Sequence, residues 1–188
     1  MLEKFKTYFE PTSNCVPASE EIMKRYKEKV PEVLLDIWKT SGIGKYNDGL
    51  IELISPEDFE PNLWIWLGKE FTTYVPFAVT GFGELIYYRK LTETDEDVCM
   101  IDIQHRKIEV FTWSMESFFE DFLTSPENRN IWFRQELFEK AISEKGVLLK
   151  NEVFTFVPIL AIGGAEELQC LQKGSAQVYQ ELVFQMTS

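Results

Sequence analysis

The sequence predicts an α+β fold, a central antiparallel sheet with flanking helices. Three observations carry that reading. From Thr72 to Trp113 the apolar residues alternate with a period of two, whereas the segments on either side carry them at helical spacing. Short links join the strand candidates, and no βαβ unit occurs, so neighbouring strands pair as hairpins. Hydrophobic residues make up 45% and aromatic residues 14% of the 188, enough for a packed core and too apolar for disorder.

Taken in order, an irregular N-terminus holding Pro11 and Pro17 leads to Ser19, a helix cap with Glu20 and Glu21 in the first turn. Ile22, Met23, Tyr26 and Val30 share one face. Pro31 opens a second helix with the stripe Val33, Leu34, Ile37 and Trp38, and Gly42 ends it as a left-handed cap. After the stretch SGIGKYNDGL comes a short strand, LIELI. Ser55-Pro56-Glu57-Asp58 then starts a helix, with a capping serine and proline at its first position. That helix runs to about Trp66 or breaks at Pro61.

Four strands follow: YVPFAV, ELIYYRK, VCMIDI and KIEVFTW, joined by TGFGE, the acidic TETDED, and QHR. Ser114 caps a helix carrying Phe118, Phe119, Phe122 and Leu123. Another helix spans about Ile131 to Glu144, and Gly146 closes it. VFTFVPILAIGG is apolar and turns at Gly163-Gly164, and LQCLQ reads as a strand. Ser175 caps a last helix with Val178, Tyr179, Leu182, Val183 and Met186 on one side. One boundary stands out, SPENRN at 125–130, dividing the chain into 1–125 and 126–188.

The glycine stretch asks whether the chain holds a nucleotide. A phosphate loop runs from strand to helix, so that the helix N-terminus faces the anion. Here the order is helix, glycines, strand, and Tyr46 follows Lys45 where GxxxxGK[ST] needs a hydroxyl. Gly42, Gly44, Tyr46, Asp48 and Gly49 therefore form a structural turn. Tyr46 and Asp48 brace it, with Asp48 able to accept from local backbone N–H groups.

His105, the single histidine, lies in the QHR turn, and no GxSxG elbow accompanies it, so no catalytic residue is assigned. Cys15, Cys99 and Cys170 are far apart without a CxxC, which reads as reduced thiols in a cytoplasmic protein with no zinc site. No cofactor is expected. There is no apolar stretch long enough for a bilayer, and MLEKFKTYFEP lacks a secretory signal core. With 31 acids against 19 bases the net charge is −12, a field that repels nucleic acid and draws basic proteins. Two features are binding candidates as well as structural ones: the acidic run Glu93, Asp95, Glu96, Asp97, and the aromatics Trp64 and Trp66 beside Phe71 and Tyr74.

Several motifs resemble the GAD-like domain. They are Val30-Pro31, Leu34-Leu35, Trp38 and Gly42; then Gly44, Tyr46, Asp48, Gly49 and Leu50; then Ser55-Pro56 and Phe59; and finally Phe82-Gly83-Glu84-Leu85 and Tyr88. Ser55, Glu84 and Tyr88 stand where asparagine, aspartate and tryptophan are usual. The C-terminal stretch FVPILAIGGAEELQCLQKGSAQVYQELVFQM is similar to the companion domain that follows it in type VI secretion immunity proteins against DNase effectors, distant relatives of the SUKH superfamily. The resemblance implies a binding protein that neutralises a cognate toxin, a basic nuclease. It carries over no catalytic residues and no fixed toxin contacts. Two other classes fit the residues: a SUKH-like regulatory scaffold and a carboxylate-dependent hydrolase.

Overall fold

The computed structural model describes residues 2–188. Six strands form one antiparallel meander: β1 (Gly44–Tyr46), β2 (Ile51–Leu53), β3 (Tyr74–Thr80), β4 (Leu85–Lys90), β5 (Glu96–Asp102) and β6 (Lys107–Thr112), in that spatial order. Alternation sorts the side chains. Phe77, Ile86, Tyr88, Val98 and Met100 enter one hydrophobic cluster, and Val79, Leu85, Tyr87, Cys99 and Ile101 the other. A sheet covered on both faces needs a helical layer on each.

The first layer contains α1 (Glu3–Tyr8), α2 (Glu20–Tyr26), α3 (Glu32–Thr40) and α5 (Met115–Ser117), the last widening into a π-turn over Phe118–Phe122. Phe5, Tyr26, Leu34, Trp38, Phe118 and Phe119 fill that side. The second layer is α4 (Pro56–Leu67) with α8 (Ala176–Thr187), which bury Phe59, Leu63, Tyr179 and Val183. Between π-turn and α8 run α6 (Pro126–Phe133), α7 (Gln135–Lys145) and a two-stranded sheet, β7 (Glu152–Phe156) with β8 (Leu171–Ser175). Phe133, Phe138, Phe154 and Phe156 join the first cluster while Val153, Ile159 and Tyr179 join the second, so residues after 125 complete both cores.

Several expectations shift. The N-terminus is not irregular throughout: α1 forms because Phe5 is buried against Phe119 at 4.8 Å. Helix α4 continues through Pro61, since burying Phe59 and Leu63 on either side outweighs one lost backbone bond. Its start relies on Pro56, for Ser55 makes no side-chain cap, unlike Ser19, Ser114 and Ser175. The expected helix from Ile131 to Glu144 is two helices, broken where Arg134 turns left-handed (φ 48°, ψ 45°). The LQCLQ strand begins later, because Leu168–Cys170 is a 3₁₀ turn.

Candidate partner-binding surface

The glycine stretch is built to receive another segment of the chain. A Cβ on Gly42 (φ 93°) would lie 2.8 Å from the Val16 carbonyl, and one on Gly44 would lie 2.9 Å from the Cys15 Cα. Residues 11–16 lie along β1 through the bridges Pro11–Tyr46 and Val16–Ile43, which close that edge of the sheet. The Tyr46 hydroxyl donates to the Gly42 carbonyl at 2.7 Å. Asp48 makes no side-chain hydrogen bond among the described residues: it is exposed and left-handed (φ 57°). Asn47 braces the turn, accepting from the Glu10 N–H at 3.1 Å and donating to the Tyr8 carbonyl at 2.8 Å. An amide can both give and accept, and a carboxylate cannot. Lys45, beside them, is buried against Glu52 at 2.6 Å and donates to the Glu152 carbonyl at 2.9 Å. Glu52 in turn accepts from the Asn151 N–H, which ties β1 and β2 to the C-terminal part.

The acidic run divides. Glu93 and Asp95 face solvent on the β4–β5 turn, where Asp95 accepts from the Thr92 hydroxyl at 2.8 Å. Glu96 and Asp97 belong to β5 and serve the fold. Glu96 accepts from the Tyr88 hydroxyl at 2.9 Å and the Met115 N–H at 3.1 Å. Asp97 is buried and takes a two-pronged contact from Arg89 at 2.7 and 2.6 Å. Trp64 and Trp66 are half-buried on α4. The Trp66 Nε1–H donates to the Gln180 carbonyl, and its ring packs edge-on against Phe184 at 5.4 Å, so it holds α4 to α8. His105 Nδ1 sits 2.8 Å from Asp102 Oδ2, and no hydroxyl or thiol among the described residues bonds the ring. Burial pushes the Cys99 thiol up to about 12, far from a reactive thiolate.

A second structural junction escaped the sequence. Glu84, at the end of the TGFGE turn, is fully buried, and Arg134 reaches it at 2.8 Å while also pairing with Glu166 at 2.8 Å. The guanidinium lies 5.7 Å from the Phe82 ring centre and 5.8 Å from that of Phe156. Thr80 donates its hydroxyl to Glu84, and Gln180 donates to the Gly83 carbonyl at 2.9 Å. Tyr179 donates to Gln104 at 3.1 Å, and Gln104 donates to the Phe82 carbonyl at 3.1 Å. The only sequence signal was that the usual acid of this turn is one methylene longer here.

An exposed apolar surface lies on the C-terminal helix. The stripe expected on the last helix is wider than one contact needs. Tyr179 and Val183 face the core, but Val178, Leu182 and Met186 turn outward. With Val157 and Ile162 they line an open groove of about 380 Å³ between α8, β7 and the turn after it. These five side chains are each between 43% and 63% exposed. Clustered apolar exposure of this kind marks a contact surface. Glu181 on α8 and Glu166 and Glu167 after the Gly163-Gly164 turn are exposed acids on the same elements.

Residues 1–101 match the family model of the GAD-like domain. The chain belongs to the GAD-like family. Residues 113–187 match a second model, the C-terminal region of the T6SS immunity protein Tdi1, and the groove falls wholly inside that segment. The crystal structure of Atu4351 from Agrobacterium tumefaciens shares the fold of this GAD-like protein, with a TM-score of 0.75 at 16% identity, over 98% of this chain and 89% of that one. Among curated proteins none matches the sequence. No helix of the described residues is long and apolar enough to cross a membrane.

Proposed function

We propose that this GAD-like protein is an immunity protein that binds and neutralises a cognate antibacterial toxin in the cytoplasm, and that the toxin is a basic nuclease of type VI secretion. The observation that carries the reading is the coincidence of the Tdi1-type segment, 113–187, with the exposed groove of Val157, Ile162, Val178, Leu182 and Met186. In this reading residues 1–125 supply the rigid sheet and 126–188 present the docking face. A nuclease must bind phosphate and so carries a basic surface, which a chain of net charge −12 attracts. Charge then sets the encounter rate, and the desolvated apolar centre sets the lifetime of the complex. Glu93 and Asp95, both exposed on their turn, contribute to steering.

The test begins with recovery of the tagged protein from its own organism and identification of a stoichiometric partner whose DNase activity stops when this protein is added. With that partner in hand, Leu182→Asp should weaken binding by at least about tenfold through faster dissociation. Glu93→Lys with Asp95→Lys should slow association and flatten its salt dependence. Full affinity in Leu182→Asp would remove the groove from the interface. A partner without nuclease activity would remove the nuclease.

A further inference from the structure

The two edges of the six-stranded sheet are treated differently. At β1 the edge is closed by residues 11–16, whose backbone bonds include Thr12 N–H to the Lys45 carbonyl and Val16 N–H to the Ile43 carbonyl. At β6 no further strand follows among the described residues, and no backbone bond outside the β5 ladder reaches Lys107–Phe111. A six-residue edge strand with no proline, on which the π-turn and α6 pack through the Phe111 ring and make no backbone bond to Lys107–Phe111, is a template for another strand. Its outward face is apolar as well: Ile108 is 50% and Val110 44% exposed, with Trp113 73% exposed just beyond. Register explains why they are bare. Ile108 lies opposite Ile101 and Val110 opposite Cys99, so both point to the α4–α8 side, yet neither belongs to the cluster there.

We propose that β6 pairs antiparallel with β6 of a second copy of this chain, about a twofold axis at Ile108, to join two sheets into one of twelve strands. The charges select the occupant. Against a total of −12, the stretch from Gln104 to Trp113 carries Arg106 and Lys107 against Glu109, so it does not draw a basic protein, and an identical stretch complements it. They also select the register. An axis at Ile108 sets Lys107 opposite Glu109 of the second copy, twice by symmetry, with the two Ile108 side chains in contact on the other face. An axis at Glu109 would oppose two carboxylates, and one at Val110 would leave both charges unpaired. The contact is smaller than the roughly 1,600 Å² of a standard interface, so it gives a concentration-dependent dimer.

Sedimentation velocity on the full chain across a wide concentration range tests this. The parent should move from monomer to dimer as concentration rises. Lys107→Glu and Glu109→Lys should each loosen the dimer by about fivefold or more, because the twofold doubles every unfavourable pair. The double swap Lys107→Glu with Glu109→Lys should restore it, which a merely damaged fold would not do. Ile108→Lys should leave a monomer with an unchanged thermal melt, since the side chain is half exposed. A parent that stays monomeric throughout overturns the proposal. So does a dimer indifferent to both single swaps, or one lost on dilution of the groove variant Leu182→Asp alone. Dimerisation through β6 and DNase inhibition are read in separate assays, so either reading can fail while the other stands.

Discussion

Glu84 shows how much one side chain can carry. It is fully buried, its Arg134 partner is 12% exposed along the side chain, and the second acid on that guanidinium, Glu166, is 43% exposed. Removing Glu84 leaves the buried guanidinium with the half-exposed Glu166 as its one remaining acid, a loss approaching the roughly 3–5 kcal/mol of a broken buried pair. Glu84→Gln should therefore lower the urea midpoint sharply, while Glu84→Met combined with Arg134→Met should recover much of the loss. Equal stability of Glu84→Gln and the parent would show that Glu166 alone satisfies the arginine. Glycines offer a cleaner comparison. Gly42 and Gly68 both have positive φ, but a Cβ on Gly42 meets the Val16 backbone at 2.8 Å and one on Gly68 meets nothing. Gly68→Ala should cost about 1 kcal/mol, the left-handed term alone. Gly42→Ala should cost about 1–3 kcal/mol more, because residues 11–16 must lift from β1. Matching losses by thermal unfolding would mean that this segment moves freely.

At the scale of elements, β3 to β6 were legible as short β-branched and aromatic runs bounded by turn residues; β3, β4 and β5 are buried on both faces and read as nearly continuous apolar runs, and β6, exposed on one side, is the one that alternates. Helix caps were legible at Ser19, Ser114 and Ser175 for the same local reason. What failed depends on partners distant in sequence. The acidic run looked like a loop throughout, since a carboxylate rarely enters a strand, but Arg89 stands opposite Asp97 in the β4–β5 register and neutralises it. The α6–α7 break was hidden because an arginine rarely turns left-handed, and here Glu84, fifty positions earlier, holds it there. The turn assigned to Asp48 belongs to Asn47, which became visible only once the Tyr8 and Glu10 backbone lay beside it. The last helix is the instructive case for function. Five apolar residues were read as one face, whereas the core takes Tyr179 and Val183 and leaves Val178, Leu182 and Met186 for the groove. An apolar arc broader than its packing requires was the one sequence signal of the candidate surface, and neither Trp64 nor Trp66 carried it.

The whole molecule keeps several titratable groups neutral by burial, and this fixes how it responds to alkali. Burial holds the Cys99 thiol up to about 12 from an ordinary 9.0, and the Tyr179 hydroxyl up to about 12 from 10.0. Tyr26, Tyr46, Tyr87 and Tyr88 are raised in the same direction, with burial again the largest cause. Each group keeps its proton in the folded chain at a pH where the unfolded chain has lost it, so the unfolded state binds fewer protons and stability falls as pH rises. The contribution is complete below the unfolded value, near 9.0 for Cys99, and is lost progressively toward the folded value of about 12. The urea midpoint should therefore hold level to about pH 8.5 and then decline steeply through about pH 11. Repulsion among the excess acids of a chain at −12 pushes the same way, and added salt screens that part. Cys99 is enclosed between Tyr87 and the Arg89–Asp97 pair, so salt does not reach its share. Cys99→Ala in high salt isolates it: the variant starts less stable at neutral pH but loses less between about pH 8.5 and 10 than the parent does. Parallel curves for the two proteins would assign the alkaline loss to the tyrosines and to net charge, and would place the Cys99 thiol in contact with solvent.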